Sequence, residues 1–412
     1  MLAAIPESID VAVIGAGPAG AVAAVMLARK GVQVLVLEKE TFPRFIIGES
    51  LLPQSMPVLE RAGLIGPVFE QGFQFKNGAA FRRGALTSVV DFRQKFSSGW
   101  GATFQVQRAT FDKILADQIE PAGGILRYGQ TITDISFDEN GAVLQVRTEN
   151  GTATKVRSRF VLDASGFGRV LPRLLNLEQD PKLDERRALF VHILDNITDR
   201  KFDRNKILIT VHPDELDIWY WLIPFSDGTS SLGVVARPGQ IDGYADAPKE
   251  QLWSAVGEAI ELGHLLKGAE DIREVGSITG YSRRASKLHG RYFALLGNAG
   301  EFLDPVFSSG VTIALKSADL VVEPLIRQLS GEAVDWEEEY AKPLRVGIDT
   351  FRSFVNAWYD GSLQRIIFNT PGDDHALQRM IVSVLAGYAW DESNPFVSNT
   401  DRYMTALANQ VS

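Results

Sequence analysis

The sequence predicts an α/β protein: a Rossmann-like nucleotide-binding unit, an inserted, mainly antiparallel β region, and helices at the C-terminus. Three observations predict it. The first forty residues run strand, glycine-rich turn, Ala-rich helix, strand. Residues 176–280 are rich in strand signals (ALFVHIL, KILITVH, IWYWLIPF, SLGVVAR), each bounded by Asp, Asn, Gly or Pro turns. After about residue 330 the chain reads helical, in pieces such as Trp336–Tyr340 and Leu344–Trp358.

The opening unit begins with the apolar strand Val11–Ile14, followed by Gly15-Ala-Gly17-Pro-Ala19-Gly20, a helix, and the strand Val32–Leu37. Gly15 permits a tight turn, Gly17 lets backbone approach a pyrophosphate, and Gly20 lets helix and sheet pack closely. The helix N-terminus offers free N–H groups and a positive dipole end to phosphates. Glu38 ends the second strand, eighteen positions after Gly20, where a carboxylate accepts from ribose hydroxyls and repels a 2′-phosphate. FAD or NAD is therefore favoured over NADP.

Composition narrows the function. The 412 residues are 45% hydrophobic and 23% charged, enough for two or three domains. A net charge of −9 argues against nucleic acid as the main partner. With no cysteine there is no disulfide, thiolate metal site or cysteine nucleophile. The five histidines, at 192, 212, 264, 289 and 375, lack metal-ligand spacing. MLAAIPESID is not a signal sequence, and the apolar run Met380–Trp390 is too short to span a bilayer and reads as a buried helix. The expectation is a cytoplasmic protein, monomer or dimer, with no membrane partner and no metal.

Two later segments complete a flavoprotein pattern. Leu162-Asp163-Ala164-Ser165-Gly166 follows a strand returning to the nucleotide, and LLGNAGEFLDP (295–305) comes much later. In this order the three segments resemble the FAD-dependent monooxygenase superfamily of the p-hydroxybenzoate hydroxylase fold. The resemblance implies FAD, a discontinuous cofactor domain (1–175 with 280–330), a substrate domain (176–280) and a helical cap (331–412). It places Asp163, Asp304 and Arg108 at the cofactor, with Lys39, Arg44 and Ser50 beside it. Arg108 equally fits a plain charge at a helix start. Asn298 stands where many members carry Asp, and Asp304 is expected to take over that contact.

Further motifs resemble the flavin-dependent halogenases. FPRFIIGESLLPQSMPVLERAGL (42–64) carries Gly48-Glu49-Ser50 and Pro53, which would lie along the flavin. WYWLIP fits W-x-W-x-I-P at Trp219, Trp221, Ile223 and Pro224. FLDPVFSSG fits F-x-x-P-x-x-S-x-G at Phe302, Pro305, Ser308 and Gly310, and Lys76 stands where the family places its active-site lysine. The family chemistry runs from reduced flavin and oxygen to a flavin hydroperoxide, which halide converts to hypohalous acid. Backbone N–H groups at Ser309 and Gly310 would hold chloride or bromide, and Gly310 would also border the cofactor. Lys76 would pass the halogen on, either as hydrogen-bond donor to the acid or as a haloamine. A haloamine needs a neutral amine, which burial against Phe73, Phe75 or Phe81 would favour. Local sequence says otherwise, because Lys76-Asn77-Gly78 reads as a solvated hairpin turn. On a strand, Trp219, Trp221 and Ile223 share one face and Tyr220 and Leu222 the other, so packing alone would also explain the tryptophans.

The chain resembles the shorter halogenases of carrier-protein-tethered aromatics, pyrrolyl or phenolic, more than it resembles the tryptophan halogenases. That implies a separate NAD(P)H flavin reductase, since only one dinucleotide fingerprint is present, and an acidic carrier protein, for which Arg82, Arg83, Arg283 or Arg284 are candidate contacts. The competing readings are an aromatic hydroxylase, a flavin reductase of the geranylgeranyl-reductase type, and a non-catalytic flavin-binding protein.

Overall fold

A computed structural model describes residues 5–369 and 375–410. Its first sheet is built on parallel strands lying side by side in the order Phe293–Leu295, Ala153–Asp163, Ser8–Ile14, Val34–Leu37 and Ile125–Arg127. Val34–Leu37 is buried throughout because both faces of the sheet are covered. Val11 and Val13 join the main core on one face, while Ala12 and Ile14 join a second core on the other. Helices Pro18–Arg29 and Ser309–Leu329 pack against each other over the first face. The chain thus leaves the nucleotide-binding sheet after Asp163 and returns to it in residues 289–295.

The second sheet is mainly antiparallel, in the order Glu270–Asp271, Arg187–Leu194, Thr229–Ala236, Trp219–Pro224, Lys206–Val211, Gly78–Arg83 and Leu86–Asp91. Its one parallel pairing runs from Lys206–Thr210 to Gly78–Arg82. Through that pairing the sheet takes in residues 78–91, which the sequence assigns to the nucleotide-binding part. Trp219, Trp221 and Ile223 turn toward the core shared with the first sheet. Tyr220 and Leu222 turn the other way, among Leu189, Val191 and Leu208 beneath helix Pro248–Glu258.

Helix Lys342–Tyr359 packs on Ser309–Leu329 and buries Phe351, Phe354 and Trp358. The expected helix over Met380–Trp390 stops early. Helix His375–Leu385 ends there and Gly387 takes φ +95°, a turn that favours glycine. Among the described residues, no helix is long and apolar enough to cross a membrane, and no group of three or more His, Asp or Glu could hold a metal ion.

Candidate functional site

A cavity of about 630 Å³ runs between the two sheets, from the glycine loop to the Trp219–Pro224 strand. At one end it is lined by Gly15, Gly17, Ala19, Glu38 and Lys39, and at the other by Ile207, Ile209, Trp219, Trp221 and Ile223. Gly15 sits at φ +96°, and a Cβ there would lie 2.6 Å from the Ala164 carbonyl oxygen, so the turn itself requires glycine. Gly17 differs. A Cβ would meet only Arg44 Nη2, at 3.6 Å, so the protein has room for a side chain that would take volume from the cavity. Gly20 packs against the loop and does not line the cavity.

Glu38 is buried and accepts from the Ala16 N–H at 2.7 Å and the Glu40 N–H at 2.8 Å, which fixes its carboxylate at the cavity edge. Lys39, largely exposed, pairs with Glu40 at 3.6 Å. Arg108 is no stray helix charge. Its guanidinium grips Asp112 with two hydrogen bonds, of 2.7 and 3.0 Å, and donates to the carbonyls of Ile47 and Gly48. Arg44 shares the same buried Asp112 at 3.2 Å. Two arginines against one carboxylate leave a local excess of positive charge beside the cavity. A cradle at Gly17, an acid fixed for a ribose, a helix N-terminus and paired arginines make a donor set that fits FAD.

Two expected cofactor ligands are placed elsewhere. Asp163 is fully buried and uses its oxygens on the backbone N–H groups of Ser165 and Leu171, at 2.9 and 2.7 Å, so it shapes the turn rather than facing the cavity. Asp304 accepts from the Val306 N–H and from the hydroxyls of Tyr281 and Tyr359, at 3.0 and 2.9 Å. Burial pushes both carboxyls above their ordinary range. Asp304 therefore does not replace Asn298, which lines the cavity itself. The candidate docking arginines lie on two elements: Arg82 and Arg83 in the second sheet, and Arg283 and Arg284 on a strand paired with Glu301–Phe302.

The tryptophans face the cavity, each with its indole N–H satisfied. Trp219 donates to the Tyr359 hydroxyl at 3.0 Å and Trp221 to Ser231 Oγ at 3.1 Å. Trp221 lies flat over Gly233, where any Cβ would be 2.2 Å from its ring. Pro224 ends the strand and does not line the cavity.

Lys76 ends the short strand Gln74–Lys76, which pairs with Thr103–Gln105, and the chain then crosses into the second sheet through Asn77. It is not in a hairpin, and it is 0% exposed. Its Nζ donates to Ser50 Oγ at 2.6 Å and to the Leu51 carbonyl at 2.8 Å, and lies 5.2 Å from the centre of the Phe92 ring. Of the rings expected to bury it, Phe75 is largely exposed. Burial pulls the ammonium down to about 7. The two acceptors use both N–H bonds of a neutral amine and leave its lone pair free, whereas an ammonium would carry a third donor. Ser50 lines the cavity and bonds to Ser308 Oγ at 3.0 Å, which connects Lys76 to the cavity in one step.

Ser308 takes φ +55° ahead of helix Ser309–Leu329. Ser308 and Gly310 border the cavity, while Ser309 is turned inward. The first N–H groups of that helix have no carbonyl partner within it. The sequence gives no sign of one further contact: Glu49, 1% exposed on the cavity wall, meets His192 Nε2 at 2.8 Å from a strand 143 residues away. A lone histidine in RALFVHIL reads as core.

Residues 8–342 match the family described as FAD binding domain. The chain is 31% identical over 383 residues to the 1H-pyrrole-2-carbonyl-[peptidyl-carrier protein] chlorinase of Pseudomonas fluorescens, covering 85% of this chain and 83% of that one. A crystal structure described as a flavoprotein/dehydrogenase from Cytophaga hutchinsonii superposes with a TM-score of 0.95 at 43% identity, over 98% of this chain and 99% of that one. The myxobacterial chondrochloren halogenase superposes with a TM-score of 0.78 at 27% identity, over 98% and 97%.

Proposed function

Because this chain belongs to the flavin-dependent halogenase family, we propose that it halogenates an electron-rich aromatic acyl group, pyrrolyl or phenolic, tethered to a carrier protein. Chloride or bromide is the halogen source, and a separate NAD(P)H flavin reductase supplies the FAD already reduced. Bound in the cavity, the flavin supplies the two electrons that activate oxygen. The observation that carries the reading is Lys76, fully buried, hydrogen-bonded to Ser50 Oγ and the Leu51 carbonyl, and joined through Ser50 to the cavity wall.

The chain's own residues then divide the work. Glu38, Arg44 and Arg108 orient the dinucleotide, with Lys39 at the rim. The free N–H groups of the first turn at Ser309 and Gly310 hold the halide as an anion, with no cation required. Trp219, Trp221 and Ile223 fill one end of the cavity with apolar bulk, which keeps water and the aromatic away from the cofactor. The Lys76 amine takes the halogen from hypohalous acid, forming an N–X bond and releasing water. It returns the halogen to the ring carbon, recovering its own proton from that carbon.

The similarity to a carrier-protein pyrrole chlorinase supports the tethered substrate. The test offers pyrrole-2-carbonyl and hydroxybenzoyl groups, each as carrier-protein thioester and as free acid, with reduced FAD, oxygen and bromide or chloride. Intact-protein mass should show halogen added to a thioester. Equal or faster turnover of a free acid would remove the carrier from the account. NAD(P)H oxidation by this protein alone would remove the separate reductase.

A further inference from the structure

Every residue of the segment Phe45–Ser50 lines the cavity. Near its end, both oxygens of Glu49 lie against a single nitrogen, His192 Nε2, at 2.8 and 3.0 Å. His192 projects from strand Arg187–Leu194 toward the cofactor side of the second sheet. It is paired with Ser231, which is paired in turn with Ile223 and accepts from Trp221. Phe45 and Phe225 hold the imidazole edge to face, with ring centres 5.3 and 5.4 Å away. Side-chain exposure is 14% for His192 and 1% for Glu49, so the imidazole is the more accessible member.

A carboxylate this buried needs a partner, and an imidazole nitrogen can either donate a proton to it or accept one from it. The pair has the same net charge whether the proton sits on Nε2 or on a Glu49 oxygen: the first form is an ion pair and the second is neutral, and the 2.8 Å contact lets the proton pass directly between them. The other acids on the cavity wall are differently engaged. Glu38 is held by backbone N–H groups and Glu40 by Lys39, both at the ribose end. The cations around the pair also have partners: Arg108 on the carbonyls of Ile47 and Gly48, Arg273 over the Phe45 ring, and Lys76 on Ser50 and Leu51.

The halogenation proposed above has a proton balance. An aromatic C–H, halide, oxygen, reduced flavin (FADH2) and one proton give the aryl halide, oxidised flavin and two waters. The unproductive reaction of FADH2 with oxygen, giving oxidised flavin and hydrogen peroxide, takes up no net proton. We propose that Glu49 is the acid that delivers this proton in the cavity, to an oxygen that leaves as water. His192 is the positioning residue that holds Glu49 and reprotonates it. This inference rests on the halogenase reading, because only halogenation has the proton deficit.

The test compares wild type with Glu49→Gln, Glu49→Ala, His192→Asn and His192→Gly. FAD affinity is read by fluorescence, and brominated product against hydrogen peroxide is measured per FADH2 supplied. The solvent isotope effect on flavin reoxidation is followed in the same proteins. Glu49→Gln and His192→Asn should bind FAD within about threefold of wild type. Their brominated product should fall at least about tenfold, with peroxide making up the balance. Formate should restore Glu49→Ala, and imidazole His192→Gly, by about threefold or more, which no packing role predicts. A Glu49→Gln enzyme that brominates within about twofold of wild type, or a loss that tracks weaker FAD binding and disappears at saturating FAD, overturns the assignment. No brominated product from wild type would instead overturn the halogenase reading.

Discussion

The two ends of the cavity are built in opposite ways. The nucleotide end is backbone: a positive-φ glycine, a helix N-terminus, and a carboxylate fixed by two N–H groups. The chemical end is side chains drawn from distant parts of the chain, with Lys76 from one short strand, Trp219 and Trp221 from another, and His192 from a third. The first depends on the spacing of its glycines along the chain. The second depends on burial, and burial has a stability cost: desolvation disfavours the Lys76 ammonium and pulls it down to about 7.

The largest expected effect sets the two ends apart directly. Gly17→Val should weaken FAD binding at least about a hundredfold while leaving thermal stability within about 1 kcal/mol, since its Cβ has space in the protein. Gly15→Val should instead destabilise the fold by several kcal/mol, roughly the cost of forbidden φ plus a backbone clash. Equilibrium unfolding beside FAD titration separates the two, and equal loss of stability in both would break the distinction.

At the other end, Trp221→Ala should cost about 3–5 kcal/mol by opening the space over Gly233. Among molecules that remain folded it should divert product toward peroxide. Urea denaturation and product analysis check both, and unchanged coupling would reduce the indole to packing.

Lys76→Met should be more stable than wild type, by about 2 kcal/mol net at neutral pH once the lost hydrogen bonds are counted. The sign follows from linkage. The amine's folded value, about 7, lies below its unfolded value of 10.5, so between them the unfolded chain binds more protons. The mutant's advantage is therefore full below pH 7 and fades as pH rises toward 10.5. Denaturation at several pH values tests it, and a mutant less stable at every pH would refute a buried amine. By the same titration, wild-type halogenation should rise with pH through about 7.

The smallest effect belongs to Arg44. Arg44→Gln leaves Asp112 still paired with Arg108, so FAD affinity should fall only about tenfold. A loss as large as that from Gly17→Val would mean that charge, not backbone, holds the dinucleotide.

How much of this was legible follows the same division. The glycine loop and Glu38 lie within thirty residues whose spacing is itself the mechanism, so their geometry could be read directly. The alternation in WYWLIP likewise gave both faces of its strand. Lys76-Asn77-Gly78 misled as a turn because Asn77 bridges two sheets. Its N–H bonds the Asn205 carbonyl and its carbonyl accepts from Phe92, contacts no local window contains. The family resemblance places Asp304 at the cofactor, but two tyrosines from remote elements claim its carboxylate. His192 carried no signal, because its meaning lies entirely in a carboxylate on another element.

The central claim is that the buried Lys76 amine carries the halogen. The most direct measurement supplies reduced FAD from an added flavin reductase, with oxygen, bromide and monochlorodimedone or a pyrrolyl carrier protein, to wild type and Lys76→Ala in parallel. The expected result is halogenated product from wild type, none from Lys76→Ala, and flavin reoxidation at similar rates in both. Hydroxylated product, or peroxide alone from both proteins, would contradict it and leave the tryptophan strand as packing.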